Sequence, residues 1–120
     1  MQLPAYYHWL EVEQVGDVTV VRFAVRTILD GAGIEAMADQ LFDLVEGSGC
    51  RKFVVSFGNV ESVGTAMLGK FILLHRKLAA VGGRVVLCQV GDFLGEIFKV
   101  LEFPRLFRIY DNEQEALESF

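Results

Sequence analysis

The alternation of short apolar runs with helical repeats limits this chain to few folds. Two runs of alternating apolar and polar residues flank Gly16 and Asp17, which predicts an opening β-hairpin with a two-residue turn. Further along, strand-like apolar runs alternate with segments whose apolar residues recur every three or four positions. The predicted order is therefore β-β-α-β-α-β-α-β-α. Such alternation implies a largely parallel sheet with helices packed against it.

The fold class that follows is α/β, with a mixed, mostly parallel sheet of about five strands and four helices. A length of 120 residues is enough for one hydrophobic core and too short for two, so residues 1–120 are expected to form one domain. The runs buried on both faces of the sheet, together with the second helix, should supply the core. The residues predicted there are Val54, Val55, Phe57, Leu68, Ile72, Val86 and Leu87.

Each predicted helix has its own start and stop signals. Asp30 is expected to cap the first helix, which ends at the Gly-Ser-Gly turn at 47–49, and Asp92 opens a short helix that runs to Phe103. The inward residues of the first helix are Ile34, Met37, Ala38, Leu41, Leu44 and Val45. The second helix has two apolar rows, Met67, Phe71, Leu74, Leu78 and Leu68, Ile72, His75, Ala79.

Charge and composition exclude several classes of function. The net charge is −5 and the basic residues are dispersed, so nucleic acid is not an expected partner. No apolar run approaches the roughly 18 residues needed to cross a bilayer, and no basic leader is present, which favours a cytoplasmic protein. Cys50 and Cys88 are expected to be reduced and unbridged.

No arrangement of residues predicts catalysis, a cofactor or a metal site. The stretch GAGIEA at 31–36 has the glycine spacing of a dinucleotide site but no acidic residue about 20 positions on, so its glycines are interpreted as turn residues. His8 and His75 lack a second metal ligand at helical or hairpin spacing, and His75 is expected to be partly buried. The chain is therefore predicted not to be an enzyme.

The stretch NVESVGTAMLGK at 59–70 places a hydroxyl where a strand gives way to a helix. Thr65 or Ser62 can serve there as the helix N-cap, because its oxygen can accept from a free backbone N–H group. The same location would stabilise a phosphate through those N–H groups and the helix dipole. The residues alone leave both interpretations open.

From its strand, turn and glycine pattern, the chain resembles the STAS domain, a module of bacterial anti-sigma factor antagonists and stressosome components. The family pattern is an apolar strand, an Asp-Ser-Ser-Gly-Leu-Gly turn that opens a helix, a Gly-Gly turn and another apolar strand. Residues 54–90 fit this pattern without a gap, anchored by Leu68-Gly69, Gly82-Gly83 and the run 85–87. The resemblance covers nearly the whole chain.

In this register several family residues are replaced. The family Asp becomes Gly64, the phosphorylated Ser becomes Thr65, the second Ser becomes Ala66 and the Gly becomes Met67. An Asp found earlier in family members is Ser56 here. A shifted register that puts Glu61-Ser62 over Asp-Ser displaces Leu68-Gly69, so Thr65 is the first candidate phosphoacceptor and Ser62 the second.

The resemblance implies a protein-binding switch without a cofactor. Its expected partner is an anti-sigma factor or a serine/threonine kinase-type protein, and phosphorylation is expected to end the complex. The expected partner-binding residues are Glu61, Ser62, Gly64, Thr65 and Met67. The alternative is a STAS-like domain that senses a small ligand or lipid without phosphorylation.

Overall fold

The computed structural model describes residues 9–28 and 31–120. In them the predicted order of strands and helices is found with two additional short strands, Thr27–Ile28 and Ser62–Val63, which pair with each other, and with the third predicted helix divided in two. The strands are β1 (Leu10–Val15), β2 (Val18–Phe23), β3 (Thr27–Ile28), β4 (Lys52–Ser56), β5 (Ser62–Val63), β6 (Arg84–Cys88) and β7 (Ile109–Tyr110). The helices are α1 (Ala32–Glu46), α2 (Thr65–Ala80), α3 (Asp92–Val100), α4 (Phe103–Leu106) and α5 (Glu113–Glu118).

The main sheet has five strands in the order β1-β2-β4-β6-β7. β1 and β2 form the predicted antiparallel hairpin, in which Val15 pairs with Val18 across the Gly16-Asp17 turn. Gly16 has a φ of 62°, a left-handed conformation that favours glycine. All other neighbouring strands of this sheet are parallel. The α/β prediction with a mixed, mostly parallel sheet is confirmed.

Two residue rows cross the sheet and divide the core between its faces. Val21, Val55 and Leu87 are register partners on one face and belong to the large core with α1, α2, α3 and α4. From β2 to β7 the strands advance across the sheet in one direction, so right-handed crossovers place these helices on one side. On the other face, the row Val20, Val54 and Val86 belongs to a smaller core with α5.

The helices agree with the predicted apolar patterns where these face the sheet. All six inward residues predicted for α1 are buried, as is the first row of α2. The second row agrees with the prediction only in part. Leu68 is fully buried and His75 is half-buried as predicted, whereas Ile72 is only half-buried and Ala79 is exposed. α2 packs on the sheet along its first row, which turns the second row towards solvent. The ring of His75 contacts Phe107, with 5.4 Å between ring centres.

The helix boundaries differ from the predictions at two places. α1 begins at Ala32 with Gly31 as its N-cap, and the predicted cap Asp30 lies outside the described residues. The helix predicted from Asp92 to Phe103 is two helices, which raises the count to five. Glu102 separates them in a left-handed conformation with a φ of 60°, and Pro104 is tolerated because it lies in the first turn of α4.

Two arginines from the sheet form hydrogen bonds with the two ends of α5. Arg22 Nε and Nη2 donate to the carboxylate of Glu113 at 2.8 and 2.7 Å, and Nη2 also lies 2.9 Å from Glu13 Oε1. At the far end, Arg84 Nη2 donates to the carbonyl oxygen of Ser119 at 2.6 Å, and its guanidinium lies over the Phe120 ring. The hydrogen bonds from Arg22 lower the pKa of Glu113.

We expect the Arg22–Glu113 pair to make the stability of the protein pH-dependent. A lowered folded-state pKa means that the pair stabilises the fold above the ordinary glutamate pKa of about 4.3, and that this stabilisation is lost as the pH falls below it. Glu113→Gln should therefore lower the free energy of unfolding by about 1 kcal/mol or less at pH 7, since both side chains are partly exposed. The deficit should shrink as the pH falls below about 4.3 and through the lowered pKa of Glu113, as measured by urea denaturation.

Glu115→Gln is the matched control, because Glu115 is also in the first turn of α5 and makes no contact with Arg22. An equal deficit in both variants would show that the helix dipole, and not the arginine, is responsible.

The two cysteines should differ in reactivity. Both are free, as predicted, and Cys88 is fully buried under α5 whereas Cys50 is half-buried in a loop. Burial raises the pKa of Cys88 to about 11. At pH 8, a disulfide reagent should therefore modify one thiol rapidly in the native protein and two after unfolding. Rapid reaction of both native thiols would contradict the burial of Cys88.

Candidate functional site

The turn that carries the predicted site residues is held at both ends by backbone hydrogen bonds. Glu61 N donates to the carbonyl oxygen of Arg26 and Gly64 N to that of Ile28, both at 2.7 Å. Between these bonds, β5 pairs in parallel with β3, and Ser62 lies opposite Thr27. An exposed ion pair joins Arg26 Nη2 to Glu61 Oε1 at 3.2 Å. The turn therefore has a fixed shape that does not depend on the candidate hydroxyls.

Buried residues fasten the same turn to the core. Val60 and Val63 are both under a tenth exposed, and Val60 N donates to the carbonyl oxygen of Phe57 at 3.0 Å. Phe57, directly after β4, contacts three aromatic rings with centre separations of 5.4 to 5.6 Å. Residues 57–63 are thus attached to the core through their apolar side chains, while their polar side chains face outward.

Thr65 is exposed and is the first residue of α2. The N-cap position is occupied by Gly64, whose backbone is extended, so the capping role considered for Thr65 or Ser62 is not the arrangement found. Ser62 is instead half-buried within β5. Thr65 thus presents its hydroxyl at the positive end of a 16-residue helix without serving as its cap.

The structure brings four of the five predicted partner-binding residues to one surface. Glu61 and Thr65 are exposed, and Ser62 and Gly64 are half-buried beside them. Met67 is the exception, because its side chain is 0% exposed and packs in the large core beneath α2. The prediction that Met67 contacts a partner is therefore wrong, because a side chain with no exposed surface cannot touch a partner.

An open groove of about 560 Å³ lies between this turn and the start of α3. Val60, Glu61 and Ser62 line one wall, and residues 91–94 line the other. The side chain of Phe93 in the second wall is 68% exposed. The sequence does not predict this second wall, since the apolar periodicity of α3 does not reveal which of its residues face water.

A polar network lies behind the turn at the carboxyl ends of β2, β4 and β6. The Ser56 hydroxyl donates to Gln89 Oε1 at 2.7 Å, and Gln89 has a left-handed φ of 55°. Together with Arg22 and Glu113 these residues line a smaller cavity of about 230 Å³. Arg22 and Glu113 are 91 positions apart, so no local motif could have predicted the cluster.

The described residues offer little for other chemistry. Among them, no three His, Cys, Asp or Glu side chains form a group able to hold a metal ion. Within the same part of the chain, no helix has the length and apolar character required to cross a bilayer. The features that suit modification or docking are the hydroxyl of Ser62, which lines the open groove, and the exposed hydroxyl of Thr65 at the start of α2.

Comparison with known proteins identifies the same family as the sequence pattern. The family model described as STAS domain matches residues 10–116. A candidate anti-sigma factor antagonist from Bordetella bronchiseptica, BtrV, is 25% identical over 93 residues, which cover 78% of this chain and 79% of BtrV.

Solved structures with this fold carry related names. A candidate anti-sigma factor antagonist from Thermotoga maritima has a TM-score of 0.83 and 21% identity, covering 95% of this chain and 96% of its own. The anti-sigma factor antagonist SpoIIAA has a TM-score of 0.71 in its unphosphorylated form, with 19% identity and coverage of 92% and 96%. SpoIIAA has also been solved in a phosphorylated form, with the same TM-score. At these identities the structural similarity concerns the fold.

Substitutions at the turn should separate exposed from buried roles. Thr65→Ala should change the free energy of unfolding by no more than about 0.5 kcal/mol, since no cap is lost and alanine favours a helix. Met67→Ala should cost about 2–5 kcal/mol, because it leaves a cavity in the core. Chemical denaturation measures both values. A loss above about 1 kcal/mol for Thr65→Ala would restore the capping role.

Proposed function

This chain belongs to the STAS domain family, and we propose that it is a regulatory protein-binding module of the anti-sigma factor antagonist type, switched by phosphorylation at the turn before α2. The supporting observation is the position of Thr65, an exposed hydroxyl on a rigid turn beside an open groove. The partner we propose is an anti-sigma factor with serine/threonine kinase activity. In this role the chain binds and is modified but catalyses nothing.

The docking surface we propose is formed by Glu61, Ser62, Gly64 and Thr65. Its backbone is fixed by the bonds to Arg26 and Ile28, so a partner would meet a preformed surface and little ordering entropy would be lost on binding. Glu61 is exposed and its ion pair with Arg26 is solvated, which leaves both charges accessible to polar groups of a partner.

Phosphorylation at Thr65 would act through charge. A kinase-type partner would transfer the terminal phosphoryl group of ATP to Thr65 Oγ1, releasing ADP and a proton. The product carries about −1.5 to −2 charges at the positive end of α2, where the helix dipole tolerates an anion. The fold would therefore persist while the docking surface acquires a strongly hydrated group in its centre.

Because of Gly64, partner binding and phosphorylation need to be tested separately. It occupies the position of an Asp in the family pattern, so no carboxylate immediately precedes the acceptor. Ser62 is the second candidate acceptor, but it is half-buried and its backbone is paired with β3. Phosphopeptide mass spectrometry after incubation with kinase and ATP distinguishes the two hydroxyls. We expect phosphate on Thr65.

A small-ligand sensor is the second candidate function, favoured by the groove of about 560 Å³ beside Ser62. Native mass spectrometry of the purified protein tests it. A small molecule that stays bound, and that a bulky substitution in the groove such as Ser62→Trp expels, would support the sensor over the switch.

Thr65→Glu should weaken binding of the anti-sigma factor at least about tenfold, because it places a negative charge in the docking surface. Thr65→Ala should bind like the unmodified protein. Calorimetric titration against the purified anti-sigma factors of the source organism measures both affinities, and thermal melts confirm that each variant is folded.

Ser48→Glu is the control for the added charge, since Ser48 is an exposed loop residue by the amino ends of the parallel strands. Equal weakening by Ser48→Glu would indicate a nonspecific effect of net charge. Unchanged binding by Thr65→Glu would show that the turn is not the docking surface.

A further inference from the structure

α3 presents apolar residues to solvent along its whole length. The side chains of Phe93 and Val100 are 68% and 81% exposed, and they lie on one side of the helix with the half-buried Ile97 between them. Leu101, just beyond the helix, is also exposed. We call Phe93, Ile97, Val100 and Leu101 the α3 stripe.

The core does not require these exposed side chains. Leu94 and Phe98 supply the inward face of α3, and Phe98 stacks on Phe103 with 4.7 Å between ring centres. Phe93 and Val100 point away from that face, which leaves large apolar groups in water without a packing role. Such contiguous exposure on a soluble domain marks an interaction surface.

The α3 stripe is continuous with the groove beside the turn. Phe93 lines the groove opposite Glu61 and Ser62, and it is also the first member of the stripe. A partner seated on the stripe would therefore reach the groove without crossing a gap. α3 has nine residues, about 13.5 Å of helix, which suits a partner helix of similar length with anchors spaced by three and four residues.

Charge around the stripe determines what kind of partner fits. Asp92 and Glu96 lie along one side and Glu102 lies just past the end of α3. Lys99 and Arg105 pair with Glu96 and Glu102 at 3.4 and 3.8 Å, through exposed contacts that contribute little. Among the described residues Asp92 has no cationic partner, so this edge keeps a net negative charge.

We propose that the α3 stripe and the adjoining groove bind a basic amphipathic helix of a partner protein. Lysine or arginine residues beside its apolar face would meet Asp92, Glu96 and Glu102. A second copy of this chain would bring like charges together, and an anionic membrane would be repelled by a net charge of −5. The inference rests on the proposed function in one respect, namely that the partner is a protein. It adds the chemistry of that partner.

A synthetic peptide of about 14 residues, with leucine at helical spacing and lysine at the remaining positions, is the probe. Its affinity for the full chain is measured by fluorescence anisotropy. Phe93→Ser and Val100→Ser should each weaken binding about tenfold or more, because an apolar anchor is lost. A version of the peptide with glutamate in place of lysine should bind more weakly than the lysine peptide.

Val81→Ser is the matched control. Val81 is an exposed valine at the C-terminal end of α2, as Val100 is at the end of α3, so both substitutions remove the same side chain from a similar setting. It should leave the affinity for the peptide unchanged. Equal losses for Val81→Ser and Val100→Ser, no loss for Phe93→Ser, or equal binding of the glutamate peptide would overturn the proposal.

Two measurements separate the other occupants. Sedimentation of a dimer that Val100→Ser dissociates would assign the stripe to a second copy, and binding to phosphatidylglycerol vesicles that Phe93→Ser abolishes would assign it to a membrane. Either result would overturn the helix proposal.

The Thr65 variants distinguish failure of this inference from failure of the proposed function. Thr65→Glu should not weaken binding of the lysine peptide, because Thr65 belongs neither to the stripe nor to the lining of the groove. Anti-sigma factor binding lost in Thr65→Glu, with full peptide binding in Phe93→Ser, would overturn the stripe alone. Peptide binding lost in Phe93→Ser, with anti-sigma factor binding absent from the unmodified protein, would overturn the proposed function alone.

Discussion

The ring of Phe57 packs against the elements that surround the candidate functional site. It follows β4 directly and contacts Phe23 from β2, Phe71 from α2 and Phe98 from α3, each with ring centres less than 6 Å apart. Aromatic contacts of this kind add to the apolar area that each ring buries, so the cluster fixes distances between elements far apart in sequence. The turn before α2 follows Phe57 in the chain, and α3 packs against the same ring through Phe98, so one residue helps to position both elements that line the groove.

Above that cluster, the shape of the turn is set by backbone groups and its chemistry by side chains. The bonds from Glu61 N and Gly64 N to the opposing carbonyl oxygens can form with almost any side chain at those positions. A family Asp can therefore be replaced by Gly64, and a Ser by Thr65, without loss of the turn. This separation allows one scaffold to keep the shape of the turn while the side chains that it carries differ from one protein to another.

The sequence predicted the elements well because apolar periodicity reports which arc of a helix avoids water. It could not decide between arcs when a helix has apolar residues on more than one side. Periodicity therefore places Ile72 in the core, although it is half-buried, and does not reveal the outward position of Phe93. Met67 lies on the row predicted to be buried, and only the family resemblance made it a contact residue. The hydrogen bond between Arg22 and Glu113 could not be predicted for a different reason. It joins residues 91 positions apart, which come together only when the sheet has formed. The candidate hydroxyls were found because a strand-to-helix turn is a local signal.

Among the described helices, only α5 packs on the second face of the sheet, and this placement has a consequence during folding. The row Val20, Val54 and Val86 is complete as soon as β6 has paired, but the helix that covers it is translated only after β7. A folding intermediate in which β6 has paired and α5 has not yet docked therefore carries an uncovered apolar sheet surface, the kind of surface that promotes aggregation. Arg22 and Arg84 bind the two ends of α5 in the folded domain and so keep the helix over this surface.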